Sequence, residues 1–155
     1  VIKLDRIHFD GTTWDFSEYF EYIRSVAHLM PQPLGDYSTD WESYALSGTK
    51  TLHDARLLSA ILDKKYDGNY SNVVSSVELS FIDQMFQGKT TLRYGDVSSY
   101  LFKETDSDTH LHADVLVHEF SIVSPGRFRH RIVLDHSGEI EIEFGTFSHV
   151  WKKEL

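Results

Sequence analysis

The chain has 155 residues and a mass of 17.9 kDa, which at roughly one hundred to two hundred residues per domain makes one domain, residues 1–155, with one core. Fifteen Lys and Arg against 24 Asp and Glu leave a formal charge of −9. That field repels phosphate backbones and anionic lipid, so nucleic acid and membrane surfaces are excluded as direct ligands.

With no cysteine, disulfide frameworks, thiolate zinc sites and thiol nucleophiles are absent, and a reducing cytoplasm is the expected compartment. No apolar run reaches the roughly 18 residues of a membrane span. The start Val1-Ile2-Lys3-Leu4-Asp5 lacks the plan of a signal peptide, although opening on Val1 leaves a removed leader open.

In chain order, Ile2 to Phe9 alternates apolar and polar residues before Asp10-Gly11, which predicts a short strand and a turn. Asp15 and Glu18 are spaced as a capping box. Phe16, Phe20, Ile23, Ala27 and Met30 then recur on one helical face. Pro31 and Pro33 are expected to end this long helix. Residues 34–50 read as a loop with one helical turn at Asp40 to Leu46.

From Thr51 the pattern changes to period 2. Strands are expected at Leu52 to Lys64, Val73 to Phe81, Thr90 to Tyr94, Val97 to Phe102, His110 to Val123, Arg127 to Asp135 and Glu139 to Phe147. The segment 52–64 also fits a helix. A three-residue hairpin with Gly138 left-handed would pair Asp135 with Glu139. Leu134 would then face Ile140, Ile132 face Ile142 and His130 face Phe144, with Arg131 opposite Glu143. The expected fold is therefore α+β, with one long N-terminal amphipathic helix packed on an antiparallel, meandering sheet of about six strands.

Several chemistries can be weighed against plainer readings. His110, His112 and His118 would share a strand face with Asp114 and could hold a divalent metal. The spacing misses the cupin pattern, because Glu119 comes seven residues after His112, and a solvated strand face is the plainer reading. His53 and Asp54, adjacent on a strand, would point to opposite faces, and no Gly-x-Ser-x-Gly elbow is present. Glu139, Glu141 and Glu143 read as a charge ladder with Arg127, Arg129 and Arg131. His130 falls on an apolar face as a core histidine, and Glu119 is either rotated outward by a bulge or a buried partner of His130. Glycine-rich phosphate loops are missing, and no cofactor is expected.

What remains is a surface. Between Asp10 and Leu46 stand seven acidic residues and one basic residue, Arg24. Aromatic rings are interleaved with them. Trp14, Asp15, Glu18, Tyr22, Asp36, Tyr37, Asp40, Trp41, Glu42 and Tyr44 compose a candidate binding patch for a basic protein, with rings as anchors and carboxylates speeding encounter. The competing reading puts the rings in the core.

The order of an acidic aromatic helix, Leu52-His53-Asp54-Ala55, the Thr91-Leu92-Arg93-Tyr94 strand and the Glu139-Ile140-Glu141-Ile142-Glu143-Phe144 ending resembles small bacterial domains grouped with immunity proteins of polymorphic or contact-dependent toxin systems. The resemblance covers roughly residues 51–147. It implies a non-enzymatic cytoplasmic protein that neutralises a cognate toxin by occupying its active cleft, often the basic cleft of a nuclease. The rival readings are a small β-rich metalloenzyme built on His110, His112 and His118, and a sugar- or peptide-binding module.

Overall fold

In the computed structural model, residues 3–104 and 113–154 are described. The chain opens with a two-stranded hairpin, β1 (His8–Phe9) and β2 (Trp14–Asp15). Asp10 closes its turn by accepting from the Thr12 and Thr13 amides at 2.8 Å each. Helix α1 (Ser17–Val26) buries Tyr19 and Ile23, one turn apart, and leaves Phe16 and Phe20 half-buried. The predicted capping box does not form. Phe16 is the N-cap residue, Asp15 accepts from the Ser17 amide at 2.9 Å, and Glu18 instead pairs with His8 at 2.8 Å.

Pro31 and Pro33 do not lead into a loop, contrary to the expectation from sequence. After a 3₁₀ turn at Ala27–Leu29 the chain extends at Met30, and a second helix, α2 (Gln32–Thr39), begins. Pro31 is its N-cap and Pro33 lies in its first turn, where a missing N–H leaves nothing unpaired. The predicted turn near Asp40 is a 3₁₀ turn at Trp41–Ser43, capped by Asp40 accepting from the Glu42 amide at 3.0 Å.

The remaining strands are β3 (Arg56–Tyr66), β4 (Val73–Ile82), β5 (Gly88–Gly95), β6 (Ser99–Lys103), β7 (Val115–Ser124), β8 (Arg127–Leu134), β9 (Glu139–Phe144) and β10 (Thr146–Lys153). They form two antiparallel four-stranded sheets, ordered β10-β5-β4-β3 and β6-β9-β8-β7. Strands take 49% of the described residues and helices 19%, so the described fold is mostly β. The expected single helix on a six-stranded sheet is overturned: among the described residues there are two short helices and ten strands in three sheets.

The physical reason lies at two corners. The β5/β10 ladder ends at Gly95 and Thr146, and the β6/β9 ladder resumes at Ser99 and Glu143. Between them the Gly145 amide donates to Gly95 O at 3.0 Å and the Ser98 amide to Glu143 O at 3.0 Å. One bent pair of strands thus serves both sheets. Glycine is required at this corner, since a Cβ on Gly95 would collide with the Thr146 hydroxyl. Read as a single strand, Glu139 to Phe147 conceals the bend, and β10 is lost. At the other side the Val115 amide donates to Ala55 O (2.9 Å) and the Asp54 amide to Val115 O (2.8 Å), tying the entry of β3 to β7.

The shared core is filled from both sheets. Val77, Leu79, Phe81, Leu92, Tyr94 and Phe147 meet Phe120, Phe128, Ile132, Ile140, Ile142 and Phe144. Helix α1 packs on β7 and α2 on β10. The β8–β9 hairpin exists with a register two residues from the predicted one: Ile132 faces Ile140, His130 faces Ile142, Phe128 faces Phe144, and Arg131 faces Glu141. An even shift keeps every side chain on its expected face. The loop is longer because His136 and Ser137 take the left-handed conformation (φ 58° and 63°), while Gly138 is extended. Gly138 is needed for space, since its Cβ would stand 2.9 Å from Lys103 O.

Gly88 gives a stability prediction. It is buried opposite β10, and a Cβ would run into the Lys152 carbonyl and the Trp151 ring. Gly88→Ala should therefore cost about 1–3 kcal/mol by overpacking, read as a lower urea midpoint. An unchanged midpoint would show that β10 yields freely there.

Candidate partner-binding surface

The residues of the predicted patch separate on folding. Tyr37 and Tyr44 are buried, at 4% and 5% exposure, so as surface anchors they are corrected: their rings belong to the core. Trp14 and Tyr22 are half-buried, and Asp15, Glu18 and Asp36 are exposed. Trp41 is 66% exposed. Asp40 and Glu42 are half-buried, Asp40 as a cap and Glu42 paired with Lys50 at 3.1 Å. Tyr22 is turned elsewhere, its ring under the Arg6 guanidinium at 3.5 Å and its hydroxyl accepting from the Ile122 amide.

Three hollows adjoin along residues 40–50. An apolar groove of about 470 Å³ is lined by Trp14, Phe16, Phe20, Trp41, Tyr44, Leu46 and His53, with Thr12, Thr13 and Ala45. Phe16 and Phe20 stack at 5.4 Å, and Tyr44 meets Phe20 edge-on at 5.4 Å. Phe9, itself exposed, leans on Trp14 at 4.8 Å. A second hollow of about 310 Å³ shares Trp41 and Ala45 with the groove and reaches Lys50. A third, of about 190 Å³, is lined by Asp36, Tyr37, Asp40, Ser43, Lys50, Thr90, His149 and Trp151.

Sequence reasoning missed Phe9, Phe16, Phe20 and Leu46 as surface residues. It also missed His149 and Trp151, which stand on the unforeseen β10. Leu46, an apolar residue amid polar loop residues at 45–50, was the available signal.

A buried chain of polar groups holds the turn that carries Trp41. His118 Nε2 donates to Ser43 O at 2.8 Å, which makes its Nδ1 the acceptor for His130 Nε2–H at 2.9 Å. His130 Nδ1 in turn accepts the Tyr94 hydroxyl at 2.6 Å. Every donor meets an acceptor only if both imidazoles are neutral, and burial favours that state. It pushes His118 down to about 4 and His130 well below its ordinary value. Tyr44 stacks on His118 at 4.5 Å and donates to Ser38 O at 2.8 Å.

Both nitrogens of His118 are thus committed, which corrects its reading as a metal ligand. His110 and His112 lie outside the described residues. Among the described residues no group of three His, Cys, Asp or Glu side chains is placed to hold a metal ion.

His53 and Asp54 also differ from expectation. They occupy a turn, with Asp54 at φ 58°, so their side chains approach to 3.4 Å. His53 Nδ1 bonds Leu116 O at 2.9 Å, and its own carbonyl accepts from Gln84 at 2.9 Å. Leu52 and Ala55 beside them are buried. The segment Leu52-His53-Asp54-Ala55 therefore secures β3 to β7. The Arg–Glu ladder forms as predicted in kind, with Arg129 on Glu143 at 2.6 Å and Arg131 on Glu141 at 3.1 Å, whereas Arg127 turns to Asp96 at 2.8 Å.

No helix of the described residues is long and apolar enough to cross a membrane. No family model matches the chain, and no curated protein matches it. Among solved structures, an uncharacterised protein from Neisseria gonorrhoeae is similar over 63% of this chain and 90% of that chain, at 13% identity and a TM-score of 0.32; a likeness that weak carries no inference about fold or function.

Proposed function

We propose that the protein is a non-enzymatic binding protein that docks a basic protein partner across residues 12–50. The observation that supports this most is Trp41, two-thirds exposed and lining both the apolar groove and the hollow that reaches Lys50. Large exposed rings beside a groove supply the desolvated anchors of interfaces, and a rim of carboxylates accelerates encounter with a cationic surface. The resemblance to toxin-system immunity proteins makes the partner a cognate toxin whose basic cleft is covered.

The test is to isolate the partner by affinity capture and then measure its binding kinetics. Trp41→Ala should weaken binding by about tenfold or more without lowering the melting temperature, since the indole is largely solvated. Raising salt should slow association more than it speeds dissociation. A captured partner that binds Trp41→Ala as tightly as wild type would refute the assignment.

A further inference from the structure

The hollow between α2 and β10 has a chemistry of its own. Its inner wall is Tyr37, buried, with a hydroxyl that meets no partner at good hydrogen-bond geometry among the described residues; the Ser43 hydroxyl beside it supplies only a weak contact, and the Asp40 charge lies near. The Ser43 hydroxyl donates to the Tyr37 carbonyl oxygen at 3.0 Å. A buried hydroxyl left unpaired costs free energy that an incoming polar group would recover. Two carboxylates flank it, exposed Asp36 and half-buried Asp40. Lys50 also lines the hollow, but its ammonium is held by Glu42 at 3.1 Å, so the local balance stays negative.

The side walls are rings. His149 lies 4.6 Å from the Tyr37 ring, and burial holds it below its ordinary value, which keeps it neutral at pH 7. Trp151 is fixed by its indole N–H on Asp83 Oδ2 at 3.1 Å. At about 190 Å³ the hollow is smaller than the roughly 300–1,000 Å³ that encloses drug-sized ligands, so it suits one small group.

We propose that this hollow receives a single arginine side chain of the protein partner, its guanidinium between Asp36 and Asp40, against the His149 and Trp151 rings, with one N–H on the Tyr37 hydroxyl. A planar fork of five donors can meet two carboxylates and a phenol oxygen together and lie on aromatic faces; an ammonium offers a compact, strongly hydrated charge instead. The arginine comes from a macromolecule because the hollow is continuous with the docking groove. Lys50 lines both this hollow and the next, and Trp41 lines both that one and the groove. The inference rests on the docking reading above and specifies one of its anchors.

The test follows the Trp151 indole N–H resonance during titration with N-acetylarginine amide, the lysine amide and the uncharged citrulline amide. Wild type should give a saturable shift with arginine, about tenfold weaker binding of lysine, and none of citrulline. Tyr37→Phe should stay folded, lose no thermal stability and bind arginine several-fold more weakly. Asp36→Asn combined with Asp40→Asn should abolish the shift; the amide oxygen introduced by the second change can still cap the 3₁₀ turn, so the double variant keeps its fold.

The proposal is overturned if wild type shows no saturable arginine shift, if citrulline binds as well, or if both variants titrate like wild type. A partner lost on Trp41→Ala together with no arginine effect ends this inference and leaves the docking reading standing. An arginine shift in a protein that captures no protein partner ends the assignment to a partner side chain and makes the hollow a site for a free small cation.

Discussion

Glu119→Ala unties the N-terminal segment from β7 and lowers the stability of the fold by about 2–4 kcal/mol. Glu119 is 1% exposed, and its carboxylate accepts from three successive amides, Asp5, Arg6 and Ile7, each at 3.0 Å. It shares a face with Val117, as its position predicts, and the irregularity between Val115 and Val117 turns that face outward, so that Glu119 is not bonded to His130. His130 faces Phe120 on the inner side, while Glu119 points outward and is covered by residues 3–7. The same segment is held by Arg131, which reaches Lys3 O at 3.2 Å and Asp5 at 3.3 Å.

Removing the carboxylate leaves three donors to find water, and the segment can supply it only by lifting off with Leu4 and Ile7, both buried. Glu119→Gln, which keeps the shape and one good acceptor, should lose about half as much. Urea denaturation gives the size of the loss, and hydrogen exchange at amides 5–7 locates it. A wild-type midpoint for Glu119→Ala would mean that those three bonds hold nothing together.

Lowering the pH from 7 to 4 should destabilise the protein by an amount on the order of 3 kcal/mol through His118 alone. The folded value is about 4 against an ordinary 6.5, so between these pH values the unfolded chain binds a proton that the folded one refuses. Stability is therefore complete above about pH 7, declines as pH falls through 6.5, and levels off for this residue below 4. His130, also depressed by burial, acts in the same direction, though the two share a hydrogen bond and their contributions do not simply add.

His118→Phe should flatten this dependence and lower stability at pH 7, because Ser43 O and His130 Nε2 then lose their partner. Urea midpoints measured from pH 4.5 to 8 on both proteins decide it. Equal slopes would place the acid sensitivity elsewhere.

Local rules reach far into this chain where one face of an element is buried and the other is not. The alternation through β4, β8 and β9 is legible because a strand there must show apolar residues inward at every second position. The same alternation assigns Ile132, Ile140 and Phe144 to the core and the Arg–Glu pairs to the outer face, even though the partners were two residues off. Register depends on the loop, and His136 and Ser137 adopt positive φ where glycine is the residue the turn chemistry expects. Helix α2 was illegible for a related reason. Gly35, Ser38 and the prolines weigh against a helix locally, and burial of Leu34 and Tyr37 against β10 outweighs them.

For the candidate site, composition alone placed an acidic, ring-rich segment between residues 10 and 46. Which rings face water is a different matter. Tyr37 and Tyr44 go inward because α2 and the 3₁₀ turn pack against β10 and β7, whereas Trp41 stays out on the turn between them. Charge and periodicity belong to the residues themselves and survive in any arrangement of the chain. Exposure, the hollow beside Asp36, and the histidine chain beneath Ser43 exist only once strands distant in sequence are brought together, because each is defined by what lies across from it.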